Sequence, residues 1–222
     1  MSLDLLVKNQ SLFNLSSYQH VELFNDCQYL WDVIKNIKTY LKQYPLGSIN
    51  ALIHPGAHLI HPESIAIGKG TIVEPGAFIQ GPCIIGENCQ IRKGAYIRGN
   101  VITGNHCVIG SELKNVALLN NANVAHFNYV GDSILGNHVN LGAGVKCANL
   151  RLDRQEIVIR NEGNQISSGL KKFGSILGDF TQVGCNSVLL PGTITGQKTF
   201  IYPCLSIGGI IPSSTLVKTS SS

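Results

Sequence analysis

The sequence predicts an all-β solenoid built on a six-residue repeat and preceded by one amphipathic helix. Two observations carry this. Stepping by six from Ile67 meets Val73, Ile79, Ile85, Ile91, Ile97, Thr103 and Ile109, with Gly following at 68, 86, 104 and 110. Ahead of that run, Phe24, Leu30, Trp31, Ile34, Ile37 and Leu41 fall near helical spacing with Asp, Lys and Gln between them.

The first element is a single helix over about residues 18–43, stopped at Tyr44-Pro45-Leu46-Gly47. A solenoid's first coil has an unpaired edge and an open core, so a helix placed before it is expected to cap that end or to dock a partner. The chain then divides into an N-terminal helical arm or cap, 1–47, and a solenoid domain, 48–222. In the second, a period of six is neither the helical 3.6 nor the plain strand period of two. One inward apolar residue per six requires short strands separated by tight turns, and the small residues that follow suit the corners. A β-sandwich, with turn signals at wider and less regular spacing, does not hold phase through eight positions. Ile53, Leu59 and Ile65 sit two residues out of phase, and the pattern resumes at Leu135, Leu141, Leu177, Val183, Leu189, Thr195, Ile201 and Ile207. The polar stretch Cys147–Lys171, with Arg151, Asp153, Arg154, Gln155, Glu156 and Arg160, interrupts it and is expected to be an inserted functional loop.

Of 222 residues, 44% are hydrophobic and 14% charged; 17 Lys and Arg against 13 Asp and Glu give a formal charge of +4. That excess is too small and too dispersed for a nucleic-acid footprint and better fits an anionic small substrate. Apolar runs of about five residues fall far short of a membrane span, and the N-terminus has no secretory pattern, so no membrane partner is expected. Seven scattered Cys without a CxxC pair predict a reduced, cytoplasmic setting.

One string is far more specific than the hexapeptides. His126-Phe-Asn-Tyr129-Val-Gly131-Asp132-Ser-Ile-Leu-Gly136-Asn-His-Val-Asn140-Leu-Gly142-Ala143-Gly144 resembles the His-x-x-Tyr-x-Gly-Asp…Asn-x-Gly-Ala-Gly motif of one family. That family is the acetyltransferase half of the bifunctional N-acetylglucosamine-1-phosphate uridylyltransferase/glucosamine-1-phosphate N-acetyltransferases. The likeness covers about residues 50–210, and Ala148-Asn149-Leu-Arg-Leu-Asp with Ser168-Gly-Leu-Lys-Lys172-Phe-Gly is most similar to the archaeal type. The resemblance implies a left-handed parallel β-helix, a homotrimer with active sites between subunits, acetyl-CoA as cofactor and an amino-sugar 1-phosphate as acceptor. No Gly-rich nucleotide-binding segment or βαβ pattern precedes the solenoid, so uridylyl transfer is not expected. The helix resembles a remnant of the interdomain arm.

Matched residue by residue, the resemblance makes His126 the general base on the sugar amine, a role suited to an imidazole titrating near neutral pH. Three hexapeptides make a coil of about 18 residues, so Ala143-Gly144 is expected beside His126. By resemblance the Ala143 amide receives the thioester oxygen as charge develops, and Asn149 aligns acetyl group and amine. Arg98, Lys114 and Lys172 match the basic positions that hold the sugar phosphate, and Tyr129 and Asn140 those that hydrogen-bond the sugar. Ala143, Cys185 and Pro203 fall on the acetyl-CoA path. There are departures: Cys185 stands where a Ser is usual, Tyr202-Pro203 replaces Ala-Ala, and Arg154-Gln155 lies where archaeal relatives carry Lys. Taken alone, Cys185 reads as a small core residue. Two other functions remain open. One is a zinc hydrolase, for which His54, His58 and His61 are badly disposed in extended structure, and no metal site is expected. The other is a trimeric scaffold that has lost catalysis.

Overall fold

The computed structural model describes residues 12–161 and 163–218; residues 1–11, 162 and 219–222, which the two expected domains include, lie outside the described residues. The solenoid is a left-handed parallel β-helix of about nine turns. Its first face stacks Leu52–Ile53, Ile72–Val73, Gln90–Ile91, Val108–Ile109, Asn123–Val124, Asn140–Leu141, Gln182–Val183, Phe200–Ile201 and Leu216–Val217, each parallel to the next. The second face begins at His58–Ile60, Phe78–Gln80 and Tyr96–Arg98, and the third at Ile65–Ile67, Cys83–Ile85 and Val101–Thr103. Two seven-residue strands, Glu112–Leu118 and Tyr129–Leu135, run through the corner between second and third faces and join them into one sheet.

All eight positions from Ile67 to Ile109 point inward and are buried. Over that stretch the register is 18 residues, Ile72 pairing with Gln90 and Gln90 with Val108. It then tightens to 15 from Val108 to Asn123 and 17 from Asn123 to Asn140. Between Asn140 and Gln182 it jumps by 42, yet the two strands still pair directly. The insertion therefore leaves the coil stack unbroken.

The third face is buried on both sides. Its inward residues join the solenoid core, while its outward ones, among them Ala66, Ile84, Ile102, Ala117, Ile134, Ile176 and Ile194, form a second core with the N-terminal segment. This corrects two expectations. There is no single helix over 18–43: a short 3-10 turn, Val21–Phe24, is followed by a break and then by α1, Asp32–Gln43. Asp26 takes a left-handed φ of 56°, and the Asp32 carboxylate accepts the Tyr29 N–H at 2.9 Å, local bonding that favours a fresh helix start over continuation. Nor does the helix cap the open end. It lies on the flank of the third face, burying Val33, Ile34, Ile37 and Leu41 against a stripe that water would otherwise reach. All six apolar residues that marked the expected helix are buried there.

The interruption after Cys147 is not a structureless loop. It contains an antiparallel hairpin, Val158–Asn161 with Asn164–Ser167, whose Ile157 and Ile159 extend the same second core.

Candidate active site

The site is built at two corners of the helix, at opposite edges of the second face. At the corner between second and third faces, the preceding coil uses two left-handed residues, Gly99 and Asn100. The two long strands each turn on one, Asn115 with φ 54° and Asp132 with φ 49°, a region that Asn and Asp enter more readily than other side chains. Stacked in successive coils, they meet: Asn115 Nδ2 donates to Asp132 Oδ1 at 2.9 Å. One coil further on stands Asn149, whose Nδ2 donates to Asp132 Oδ2 at 2.5 Å. Lys114 Nζ lies 3.7 Å from the same oxygen. The Tyr129 phenol faces the Asn149 side chain, and burial leads the effects that raise its pKa. Gly131 is what lets these groups close up, since a Cβ there would stand 2.6 Å from both Tyr129 Oη and Asn149 Nδ2.

The insertion leaves the coil at Asn149 and returns at Phe173, whose N–H donates to the Asn149 carbonyl at 2.9 Å, while Gly174 N–H donates to Asp132 O at 2.8 Å. Leu150 and Lys172 are bridged in antiparallel fashion, which sets exposed Lys172 next to this corner. Arg98 ends its strand on the same edge and donates from Nη1 to Glu112 Oε1 at 2.7 Å. The corner thus gathers Arg98, Lys114, Tyr129, Asn149 and Lys172, a cationic, hydrogen-bonding surface fit for a phosphorylated polar ligand.

At the other corner, between first and second faces, His126, Ala143, Cys185 and Pro203 occupy the same position in four successive coils. The backbone shows it: Gly144 N–H donates to His126 O at 3.0 Å, Asn186 N–H to Ala143 O at 2.8 Å, and Cys204 N–H to Cys185 O at 2.9 Å. His126 is exposed, and its ring has no hydrogen-bond partner among the described residues. Gly142 N–H is taken by Val183 O and Gly144 N–H by His126 O, whereas the Ala143 N–H between them has no acceptor among the described residues. A Cβ on Gly142 would lie 2.7 Å from the Cys185 nitrogen and 3.0 Å from its Sγ, so a bare backbone is needed at that coil contact. Between the corners lies a shallow hollow lined by Tyr96, Glu112, Phe127, Tyr129 and Lys146. His126 and Tyr129 are three residues apart, with the bend at Phe127, φ 40°, between them.

Of the sequence-predicted residues, the structure brings His126, Ala143, Cys185 and Pro203 into one column and Arg98, Lys114, Tyr129, Asn149 and Lys172 into one corner. Asn140 joins neither group. It pairs with Asn123 and Gln182 on the first face, around the corner from Tyr129. Cys185 is exposed in a turn and is not a core residue. Asp132 was quoted as part of the motif without a role, and Asn115 was missed. The signal was their spacing, since 115, 132 and 149 are separated by 17, which is the local coil length. Among the described residues no group of three His, Cys, Asp or Glu could hold a metal, and no helix is long and apolar enough to cross a membrane.

Residues 79–219 match the family described as the GMPPB C-terminal domain. The bifunctional sugar-1-phosphate nucleotidylyltransferase/acetyltransferase of Sulfurisphaera tokodaii is 39% identical over 92 residues, 41% of this chain and 23% of that protein. The bifunctional protein GlmU of Methanococcus aeolicus is 30% identical over 187 residues, 80% of this chain and 43% of that one. An uncharacterized acetyltransferase of Escherichia coli, YaiX, is 33% identical over 186 residues, covering 82% of this chain and 80% of its own. The chain spans less than half the length of the two bifunctional relatives it matches. With the matched region covering well over half its length and lying in the β-helix, this chain belongs to the GMPPB C-terminal domain family of hexapeptide-repeat proteins.

Proposed function

We propose that the protein is an N-acetyltransferase that moves an acetyl group from acetyl-CoA to the amine of an amino-sugar 1-phosphate. The observation that carries this is the pairing, one coil apart, of an exposed imidazole with an unused backbone amide: His126 above Ala143. Amide formation from a thioester needs those two groups. The amine attacks the thioester carbonyl, His126 accepts the ammonium proton, the Ala143 N–H stabilises the oxyanion, and CoA leaves as the thiolate. Cys185 and Pro203 continue the column and offer a surface for the coenzyme. The basic corner holds the acceptor's phosphate, with Tyr129 and Asn149 orienting the sugar. Relatives named as sugar-phosphate nucleotidylyltransferase/acetyltransferases support the acceptor class.

The two corners stand at opposite edges of one face, and association as a homotrimer would close each site with a neighbouring copy; Asn140, on the first face, would enter the site from that side. The role of the arm, 1–47, is structural in this reading, because its described part covers the third face. The test is CoA release from acetyl-CoA with glucosamine-1-phosphate, wild type beside His126→Ala. General-base loss should lower kcat by about 100-fold or more while fold and assembly persist. A variant with wild-type turnover removes His126 from the mechanism. A wild type that neither turns over nor binds acetyl-CoA favours the scaffold reading.

A further inference from the structure

Asp132 lies in neither group of ligand-facing residues, yet it touches both halves of the acceptor corner. Its side chain is buried, 5% of the residue being exposed. Oδ1 accepts from Asn115; Oδ2 accepts from Asn149 and faces the Lys114 ammonium. We propose that Asp132 is the positioning residue that sets Asn149 and Lys114 for acetyl transfer, and that Asn115 ties it to α1. The inference rests on the acetyltransferase reading and adds to it a residue and a supporting element.

The chemistry of an amide side chain makes the case. Asn149 carries donors at one end and an acceptor at the other, and nothing in its shape distinguishes the two orientations. A carboxylate can only accept. Bonded to Asp132, Asn149 must point Nδ2 at the carboxylate, on the side where the Tyr129 Oη also approaches Gly131. Asp132 therefore removes an ambiguity that would halve the population of the competent arrangement or worse. The same charge holds the Lys114 ammonium at a fixed place on the rim.

The carboxylate is itself held from behind. Asn115 Nδ2, which donates to it, also lies 3.5 Å from the Ile34 carbonyl of α1. On the other side of the corner, Phe173, whose N–H fixes the Asn149 carbonyl, is fully buried with its ring centroid 6.0 Å from Trp31, at the start of the helix. The helix that sequence alone assigned to an open end thus backs the acceptor corner through two contacts, one polar and one aromatic.

The test is a cycle of Asp132→Asn, Asn149→Ala and the double variant, with CoA release measured at saturating acetyl-CoA and urea midpoints measured alongside. Asn keeps the size of the side chain and tolerates the left-handed backbone, but presents a second amide to Asn149. Expected is a fall in kcat of about 10- to 100-fold for Asp132→Asn, with the KM for acetyl-CoA unchanged and no further fall when Asn149→Ala is already present. Urea midpoints should be non-additive in the same cycle. Wild-type kcat, or losses that multiply, overturn the positioning role, and so do additive midpoints whatever the turnover. Should Asp132→Asn fail to fold, Asn115→Ala takes its place: kcat should fall severalfold at constant acetyl-CoA KM, and an unchanged kcat overturns the link to α1. Wild-type protein that releases no CoA with any amino-sugar 1-phosphate overturns the functional reading, and the catalytic part of this inference with it; an active wild type with independent effects overturns the inference alone.

Discussion

Mild acid should weaken this protein through one side chain far from the site. His20, in the segment that covers the third face, is 1% exposed. Its Nδ1 lies 3.0 Å from Tyr40 Oη, and the rings of Tyr18, Tyr40 and Tyr44 stand edge-on to it at 5.6, 5.7 and 5.4 Å. This aromatic enclosure solvates an imidazolium poorly, and burial lowers the pKa from 6.5 to about 4. Above pH 6.5 neither the folded nor the unfolded chain binds the proton, so His20 contributes no pH dependence. Between 6.5 and about 4 only the unfolded chain binds it, and stability falls as pH falls. At about 1.4 kcal/mol per pH unit, the loss is about 2 kcal/mol at pH 5 and levels off near 3 kcal/mol below pH 4. The perturbation is His20→Gln, which keeps a polar partner for Tyr40 and does not titrate. Urea unfolding of both proteins at pH 7.5 and pH 5 gives the answer, carboxylate effects being common to the two. The wild type should lose about 2 kcal/mol more than the variant over this interval. Parallel losses, or a folded-state imidazole that titrates near 6.5 by NMR, would refute the burial argument.

Two further substitutions probe packing. Gly142→Val places a branched side chain where even a Cβ would meet the Cys185 nitrogen at 2.7 Å and the Val183 carbonyl at 2.9 Å; it should cost about 2 kcal/mol or more in a urea titration and weaken acetyl-CoA binding measured by calorimetry. Ile102→Ala empties a fully buried site under the N-terminal segment; a loss of about 3 kcal/mol is expected, with faster proteolysis within residues 12–46 than in the coils.

What could be read in the sequence follows from how strongly each feature repeats. Ile67 to Ile109 recur at one inward position in every third of an 18-residue coil, so periodicity alone placed them correctly. The same one-in-six reading hides the outward side of a strand. On the third face Cys83-Ile84-Ile85, Val101-Ile102-Thr103 and Val116-Ala117-Leu118 are buried throughout. Continuous apolar runs of that kind mark a strand covered on both faces. Reading them so would have placed the helix on the flank. Within the candidate site, Ala143 beside His126 was legible because a column preserves spacing, whereas Cys185 and Pro203, beyond the insertion, came from the resemblance. Asn140 was not separable from the rest, since a motif is linear and cannot show that a corner intervenes. Lys172 could be placed only once the insertion's exit and return were known to share a corner.

The departures from the period are also where the chemistry collects. Earlier coils leave two residues or more between their strands at this corner, as between Arg98 and Val101; Asn115 and Asp132 each turn the chain alone, which shortens the coil, and their polar side chains meet. Such a corner would be a liability in an isolated hairpin. Here it is held by the inward residues of its own two strands, Leu113 and Val116 around Asn115 and Val130 and Leu135 around Asp132, all fully buried. The insertion then departs from the third member of the series, Asn149, and the coil resumes with Gln182 paired to Asn140 as if nothing had intervened. Because the departure costs the stack no hydrogen-bonded register, the insertion can deliver Lys172 to the basic corner while the His126 column stays stacked. In the proposed function, acceptor recognition and acyl transfer are thus carried by separately supported corners of the second face, joined through Tyr129 and the strand on which it lies.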